Sequence, residues 1–183
     1  MLIMVTPLLL ATAILIKLTS PGPIFFKQYR AGINGRKFIC FKFRSMINNA
    51  EQHKQSLRNK NEMRGPVFKI KNDPRITPLG KILRKMSIDE LPQLWNVLRG
   101  DMSLVGPRAL PVREASAIHG WQRRRFSMKP GITCIWQVEG RNKITNFKDW
   151  AKLDLKYIDE WSLLLDFKLL LKTIPTVIKC TGM

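Results

Sequence analysis

The sequence predicts an α/β fold of the α+β type: a compact, helix-rich domain with a small sheet or hairpin. Three observations predict it. Apolar residues recur at helical spacing through residues 78–98, and two short alternating stretches flank an Asn-Gly pair. Strongly apolar segments also lie near both ends of the chain, in residues 1–16 and 163–175. The length favours one folded domain, residues 20–183, preceded by a separate segment, residues 1–19.

The first apolar segment, residues 1–16, contains no charged residue. As a helix it would extend about 24 Å, which is shorter than the roughly 30 Å hydrocarbon core of a bilayer. Pro7 follows Thr6 inside the segment, and a proline there kinks or breaks a helix. We therefore predict that residues 1–19 form a membrane-inserted segment, which either enters the membrane and returns (re-entrant) with its break at Thr6 and Pro7 or lies deep in one leaflet. A secretory signal peptide and a buried core helix are the alternatives, although the segment lacks a basic start.

A hairpin is predicted next, with strands over residues 24–30 and 37–44. The turn over residues 31–35 ends in Asn-Gly, which is typical of tight hairpin turns. In the second strand phenylalanines alternate with Lys42 and Arg44, which predicts one apolar and one cationic side. Such a surface can also stack and bind single-stranded nucleic acid, although packing of the aromatic side on helices is the simpler interpretation.

Four further stretches are predicted to be helical. Residues 46–63 show no wide apolar face and indicate a solvated helix or a mobile excursion without chemistry. Residues 115–129 mix aromatic residues with arginines, which fits an interfacial helix or an ordinary helix with a solvated basic side. Residues 147–161 show a helical pattern, and residues 163–175 predict an apolar, charge-interrupted helix that lies in a membrane interface.

Two helices are predicted to meet at an adjacent pair of carboxylates. The first begins with Thr77 as N-cap before a proline, and the second ends at a C-capping Gly100. One register makes a capping box of Ser87 and Glu90. The register we prefer makes Asp89 the N-cap, because the proline at position 92 then falls where an N–H has no helical partner.

In the preferred register Asp89 and Glu90 lie at the positive end of a helix, beside Arg84. A carboxylate pair in that position is either a structural cap or a chemical group, namely a nucleophile or a metal ligand. The residues alone leave both interpretations open.

Charge and cysteine content narrow the class of protein. There are 32 Lys and Arg against 13 Asp and Glu, a formal net charge of +19, which points to a polyanionic partner. Nucleic acid, an anionic membrane surface and phosphorylated substrates all meet that requirement. Cys40, Cys134 and Cys180 are scattered and predict neither a disulfide framework nor a zinc site.

The segment SIDELPQLWNVLRGDMSLVGPR, residues 87–108, closely resembles the bacterial sugar transferase family, the monotopic phosphoglycosyl transferases. The likeness continues at FKFRSM (41–46), KPGIT (129–133) and WQVEGRN (136–142), so it covers nearly the whole chain in order. Members move a sugar 1-phosphate from a nucleotide sugar to undecaprenyl phosphate, and they carry a re-entrant helix broken at a Ser-Pro or similar pair. The part before that break is almost absent here, so we expect the chain to be truncated or to continue upstream of Met1.

The resemblance implies a role for each matching residue. Asp89 resembles the nucleophile that forms an aspartyl-phosphosugar while uridine monophosphate leaves, and Glu90 resembles the carboxylate that, with Asp89, holds Mg²⁺. Phosphate and substrate binding falls to four arginines: Arg44, Arg84, Arg108 and Arg141. The family's second proline after Pro107-Arg108 is replaced by Ala109, which indicates a looser turn. Asp101 and Asp154 also lie in family motifs, where a helix-end or ion-pair role competes with substrate contact.

The implied partners are a UDP-sugar, undecaprenyl phosphate and the lipid bilayer, with no nucleic acid and with a homodimer as a candidate assembly. The implied location is the cytoplasmic face of the bacterial inner membrane, in the first membrane step of exopolysaccharide, capsule or O-antigen synthesis. Residues 136–142 and 157–162 resemble exopolysaccharide and capsule initiators more than the smallest glycoprotein-pathway members, and this resemblance implies glucose or galactose phosphate as the transferred group. A basic, membrane-associated nucleic-acid-binding module and a non-catalytic scaffold are the alternative functions.

Overall fold

A three-stranded antiparallel sheet and a two-stranded parallel sheet lie among the helices of the computed structural model, which describes residues 2–139 and 144–178. Within those ranges the helices are α1 (Leu2–Thr19), α2 (Pro78–Lys85), α3 (Gln93–Leu98), α4 (Val112–Ser116), α5 (Ile135–Glu139), α6 (Phe147–Asp159) and α7 (Leu163–Ile178). The strands are β1 (Phe25–Ala31), β2 (Lys37–Phe43), β3 (Ser103–Val105), β4 (Leu110–Pro111) and β5 (Gly131–Thr133). This mixture of helices and small sheets agrees with the predicted class.

The predicted hairpin is confirmed as β1 and β2, which pair antiparallel along their whole length. Asn34 and Gly35 have φ values of 52° and 74°, the left-handed region that the Asn-Gly signal anticipates. The predicted cationic side is not a solvated surface, because the side chain of Lys42 is only 14% exposed and Arg44 is buried. The cationic side at Lys42 is therefore covered by other parts of the chain.

Each face of β2 packs against a different cluster. Cys40 lies with Met102 and Ala109 on one side, whereas Phe43 packs with Ile16 of α1 and Leu83 of α2 on the other. Further along the chain, the rings of the tryptophans at positions 136 and 150 stack 4.0 Å apart in the largest core cluster. The hairpin thus joins α1 and α2 to the region that follows α3.

Helix α1 continues through Thr6 and Pro7, so the predicted break does not interrupt it. A proline removes one helical N–H donor, and α1 continues on both sides of that single lost hydrogen bond. One face of α1 packs on the domain through Leu9, Ala13 and Ile16, while leucines on its other side are exposed. In the described residues no helix combines the length and apolar character needed to cross a bilayer. Membrane insertion of residues 1–19 stays a prediction.

The predicted helix over residues 46–63 is wrong. The segment contains two short 3-10 turns, Gln52–Lys54 and Arg58–Lys60, joined by irregular backbone. Side chains satisfy that backbone: Arg75 donates to the carbonyl of Ala50 at 3.0 Å, and Nδ2 of Asn61 donates to the carbonyl of Met63 at 3.0 Å. A polar segment without an apolar face gains no helix packing, so these local hydrogen bonds determine its path.

Of the three helices predicted after residue 114, one is wrong and two are confirmed. Residues 115–129 are not one helix, because α4 ends at Ser116 and a 3-10 segment, Gly120–Ser127, follows. Gly120 has a φ of +60°, which is incompatible with a continuous α-helix. The other two helices are confirmed as α6 and α7, and α7 leaves Leu163, Leu164 and Phe167 exposed.

Candidate active site

The carboxylate pair is presented by a turn rather than by a helix start. Thr77 caps α2 as predicted, since its Oγ1 accepts from the N–H of residue 80 at 3.0 Å. Ser87 then adopts a left-handed conformation with φ 58°, and Ile88–Glu90 forms a 3-10 turn. Helix α3 begins only after Pro92, where the missing N–H breaks no helical hydrogen bond.

Both predicted registers therefore need correction. Asp89 is not the N-cap of α3, because it lies inside the 3-10 turn with Pro92 in the capping position. Ser87 precedes that turn, but its side chain makes no capping hydrogen bond, so the capping box is also not formed. Gly100 does end α3 in a left-handed conformation, with φ 78°. The turn places both carboxylates just before the N-terminus of α3 and against β2.

Glu90 is held by two cations. Its Oε1 accepts from Nζ of Lys42 at 2.6 Å and from Nη2 of Arg108 at 2.5 Å, while Oε2 accepts from Nη1 of Arg108 at 3.4 Å. Burial by itself would raise the pKa of Glu90, but Arg108 and Lys42 outweigh it and hold the pKa well below its ordinary value. Glu90 is therefore an ionised carboxylate in a largely dry position.

Asp89 has the same burial without the same partners. It is 6% exposed, and none of the residues that the structure describes donates a hydrogen bond to its carboxylate. Burial raises the pKa of Asp89, although the charge of Lys42 acts in the opposite direction. A buried carboxylate with open oxygens beside cations is a suitable nucleophile or metal ligand, so the structure favours the chemical interpretation of the pair over the capping one.

Lys42 is the site residue that the sequence did not single out. It comes from β2, and burial lowers its pKa although the Glu90 charge opposes that change. Arg30 and Arg108 add to the lowering through their positive charges. The FKFRSM motif was the available signal, but it drew attention to Arg44, which lies two positions further along the chain, just after the end of β2.

Arg108 is fixed from several directions. With its amide oxygen turned towards Arg108, Gln137 accepts from Nη1 at 2.6 Å, and the ring of Trp136 lies 5.8 Å from the guanidinium carbon. The backbone carbonyl of Arg108 accepts from Nη2 of Arg125 at 2.9 Å. Arg125 in turn pairs with Asp154 at 2.6 Å, with both side chains 1% exposed. The turn at Ala109 is thus secured even without the family's second proline.

Asp101 and Asp154, whose roles the sequence left undecided, both have structural partners. Asp154 forms the buried pair with Arg125 rather than lining the cavity. Asp101 lies at the end of α3, where it pairs with Arg99 at 3.5 Å and accepts from Asn96 at 3.3 Å. An ion-pair role and a helix-end role therefore account for them.

The other predicted arginines are placed differently from one another. Nε of Arg84 donates to Oγ of Ser45 at 2.9 Å, and the Arg84 charge acts on Asp89. Arg44 instead holds the end of α1, because its Nη2 donates to the carbonyl of Ser20 at 2.6 Å. Its Nε and Nη1 are buried with no hydrogen-bond partner in the described ranges, so a phosphate-binding role for Arg44 stays a prediction. Arg141 lies outside the described residues.

A cavity of about 730 Å³ brings these groups together. Its lining includes Arg44, Arg84, Asp89, Glu90, Arg108 and Lys42. Residues of the 46–76 loop form much of the remaining wall, so the segment predicted to lack chemistry borders the candidate site.

The carboxylates fit a particular kind of Mg²⁺ site. In the part of the chain that is described, no group of three or more acidic, histidine or cysteine side chains could hold a metal ion by itself. Mg²⁺ is commonly bound by one or two carboxylates together with substrate phosphates. Asp89 and Oε2 of Glu90, which accepts one long hydrogen bond, are compatible with an ion that arrives with a diphosphate.

Comparison with known proteins then decides the family. A sequence model of the bacterial sugar transferase family matches residues 1–180. The chain belongs to that family. The resemblance inferred from the motifs is therefore confirmed, and segment 87–108 supplies three of the charged groups in the cavity: Asp89, Glu90 and Arg108.

Three named relatives are similar to this chain. The galactosyl transferase CpsE of Streptococcus agalactiae serotype III is 53% identical over 88% of the chain and 36% of the relative. The UDP-galactose-lipid carrier transferase of Erwinia amylovora is 45% identical over 97% and 38%, respectively. The undecaprenyl-phosphate galactose phosphotransferase of Salmonella typhimurium is 42% identical over 88% and 34%. The chain thus spans little more than a third of the length of these relatives.

Proposed function

We propose that the chain is a phosphoglycosyl transferase that moves a hexose 1-phosphate from a UDP-sugar to undecaprenyl phosphate and releases UMP. One observation carries the proposal. Asp89 is buried without hydrogen-bond donors from the described residues, next to a Glu90 that Arg108 and Lys42 hold ionised. The names of the relatives, which include a galactose phosphotransferase and a lipid carrier transferase, support the same donor and acceptor classes.

In the first step a carboxylate oxygen of Asp89 attacks the phosphorus that carries the sugar. A bond from that oxygen to phosphorus forms, the bond to the bridging oxygen of the diphosphate breaks, and UMP leaves with the electron pair. Lys42 and Arg108 lie beside the attacked group and offset the charge that develops on its oxygens. Asp89 must be ionised to attack, which the charge of Lys42 favours against the effect of burial.

In the second step a phosphate oxygen of undecaprenyl phosphate attacks the same phosphorus. The bond to Asp89 breaks, the carboxylate is restored, and the product is an undecaprenyl diphosphate sugar. Two displacements at one phosphorus explain why the nucleophile has no hydrogen-bond donor of its own among the described residues: a tightly held carboxylate would attack poorly. Glu90 keeps Lys42 and Arg108 in place through both steps.

We further propose that Glu90 and one oxygen of Asp89 hold Mg²⁺ when the donor is bound, which leaves the other Asp89 oxygen for the attack. Bound there, the ion would offset the negative charge of the diphosphate and of the leaving UMP. Arg141, for which the family resemblance implies phosphate binding, would add to this charge compensation. The names of the three relatives contain galactose or galactosyl. For this reason galactose 1-phosphate is the transferred group that we would test first.

The proposed location is the cytoplasmic face of the bacterial inner membrane, where a lipid acceptor and a water-soluble donor can meet. Support comes from exposed apolar residues on the two terminal helices, with Leu10 and Leu18 on α1 and Leu163, Leu164 and Phe167 on α7. Surfaces of this kind suit the acyl region of a bilayer. The proposed product is the first lipid-linked intermediate of exopolysaccharide, capsule or O-antigen synthesis.

The nucleic-acid alternative depended on the aromatic side of the hairpin. Phe43 packs with Ile16 and Leu83 in the core, whereas Phe25, Phe26 and Tyr29 of β1 are exposed and could stack on a base. The convergence of Asp89, Glu90 and Arg108 on one cavity is what favours the transferase over that alternative. No specific observation favours a non-catalytic scaffold, since the charged groups of the motif converge on one cavity.

The proposal is tested by following UMP release from the chain in nanodiscs with undecaprenyl phosphate, Mg²⁺ and a panel of UDP-sugars. We expect release with one hexose donor, loss of release with a chelator, and loss with Asp89→Asn. Asp101→Asn is the matched control, because Asp101 lies in the same motif but at the end of α3. Full turnover by Asp89→Asn, or no trapped phosphosugar adduct on Asp89, would overturn the mechanism.

A further inference from the structure

Glu114 is a buried carboxylate that the proposed chemistry does not use. It lies in α4 and lines the same cavity as Asp89 and Glu90. Its Oε1 accepts from Nζ of Lys54 at 3.2 Å and from the N–H of Phe68 at 3.4 Å. Both partners belong to the 46–76 loop, so Glu114 fastens that loop to the wall of the cavity.

The second oxygen of Glu114 has spare hydrogen-bonding capacity. Within residues 2–139 and 144–178, only Oε1 of Glu114 accepts hydrogen bonds. An ionised carboxylate has about four acceptor positions on its two oxygens. Burial raises the pKa of Glu114 while Lys54 opposes the change, which indicates that a further donor would stabilise the charged form.

The position of Glu114 follows from its neighbours. Nη1 of Arg30 donates to the carbonyl of Ala109 at 2.7 Å, directly after Arg108. The charge of Arg30 also acts on both Lys42 and Glu114. Glu114 therefore lies within electrostatic range of the same arginine as the Lys42–Glu90 pair, on the stretch of wall that continues from Arg108.

A buried carboxylate repels a phosphate but accepts hydrogen bonds from hydroxyl groups. Resting on the proposed function, we propose that Glu114 accepts hydrogen bonds from hydroxyls of the UDP-sugar donor and so helps to determine which donor is accepted. The donor offers hydroxyls on its hexose and on its ribose, and both present the same chemistry. Lys54 and the Phe68 N–H keep the carboxylate oriented, which leaves Oε2 for the donor.

The test measures equilibrium binding of UDP-galactose, UDP-glucose and UMP by calorimetry, with the full chain in nanodiscs and Asp89→Asn present to prevent turnover. Glu114→Gln should weaken UDP-hexose binding about 10- to 100-fold, as expected for losing a hydrogen bond to a charged acceptor. If UMP binding is unchanged, the hexose is the source of the hydroxyl; an equal loss for UMP assigns the ribose. Unchanged affinity for all three ligands would overturn the proposal.

Glu51→Gln is the matched control. Glu51 lines the same cavity and contacts Lys54 at 3.7 Å, but its side chain is 60% exposed, so its substitution should leave binding unchanged. If Glu114→Gln does not fold, UDP-hexoses and UMP that lack single hydroxyls are titrated into the chain with Glu114 intact. One hydroxyl whose removal causes the same loss supports the proposal, and no such hydroxyl overturns it.

Failure of the subsite and failure of the transferase give different results. A chain that binds UDP-hexoses through Glu114 but releases no UMP in the turnover assay upholds the subsite and overturns the transferase. A chain that releases UMP while Glu114→Gln binds every ligand normally does the reverse.

Discussion

Asn96 of α3 completes the edge of strand β2 through the backbone of Phe41. Its Oδ1 accepts from the Phe41 N–H at 3.1 Å, and its Nδ2 donates to the carbonyl of Ile39 at 2.7 Å. A single amide side chain thus occupies the place of a neighbouring strand. Because Lys42 follows Phe41 directly and Glu90 precedes α3, this contact fixes the two halves of the ion pair relative to each other.

The first prediction concerns Asn96. Replacing it with Asp removes the donor to Ile39 and places a buried charge, since Asn96 is fully buried. We expect a loss of about 1–3 kcal/mol in the free energy of unfolding, measured with denaturant. Asn59→Asp, an exposed amide in the 46–76 loop, should change stability by less than about 0.5 kcal/mol. Equal stability of the two variants would show that the strand edge does not need Asn96.

The second prediction is that Asp89→Asn is more stable than the unsubstituted protein at neutral pH. The folded state raises the pKa of Asp89 above its ordinary value of 3.8, so it binds the proton more tightly than the unfolded chain does. The stability of the unsubstituted protein therefore falls as the pH rises from 3.8 through the folded-state pKa of Asp89. The Asp89→Asn variant does not lose this stability, because its amide does not ionise. Function at Asp89 is thus expected to cost stability.

Thermal unfolding across a pH series measures this effect. The stability difference between Asp89→Asn and the unsubstituted chain should shrink as the pH falls towards 3.8. Asp149→Asn, at an exposed position on α6, is the control. A destabilised Asp89→Asn at neutral pH would contradict the prediction.

Glu90 should show the opposite sign. Its folded-state pKa lies well below the ordinary 4.5, so its contribution to stability is present above 4.5 and is lost as the pH falls through the folded-state value. Glu90→Gln should abolish that contribution and leave Lys42 and Arg108 as partly buried charges without their carboxylate partner. The two neighbouring acids are thus distinguished by the sign of their pH dependence, which the same thermal series measures.

The sequence was sufficient to predict an element where that element depends on local geometry. The hairpin follows from its Asn-Gly turn, and α2 follows from Thr77 as N-cap before a proline. It failed where long-range packing decided the outcome. Ser87 adopts a left-handed conformation that no spacing rule anticipates. In residues 46–63 the carbonyls of Ala50 and Met63 accept from the side chains of Arg75 and Asn61 instead of from a helical N–H.

The candidate site shows the same division. Asp89, Glu90 and Arg108 lie in one motif and could be selected from it, whereas Lys42 is separated from Glu90 by 48 positions. Only strand pairing and the contact of α3 with β2 bring that pair together, and neither can be read from spacing. Arg44 illustrates the converse, since a residue in a matching motif makes its observed hydrogen bonds to the end of α1.

The third prediction concerns Lys42. Lys42→Met removes one of the two cations on Glu90 and one positive charge beside Asp89, so we expect UMP release to fall about 100-fold with little change in donor affinity. Lys37→Met, at the exposed start of the same strand, is the control and should keep normal turnover. Normal turnover by Lys42→Met would exclude Lys42 from the reaction.

The last prediction separates two ion pairs of the same type. Arg125 and Asp154 are both 1% exposed, whereas the side chains of Arg124 and Asp159 are 55% and 48% exposed. Asp154→Asn leaves a buried guanidinium without its counter-charge, so we expect a loss of about 3–5 kcal/mol in the free energy of unfolding. Asp159→Asn should cost less than about 1 kcal/mol because water replaces the lost partner. Urea unfolding of both variants measures the contrast, and UMP release by Asp154→Asn should fall as well, because Arg125 also holds the carbonyl of Arg108. Similar stability losses for the two variants would contradict the assignment of Asp154 to a buried supporting pair.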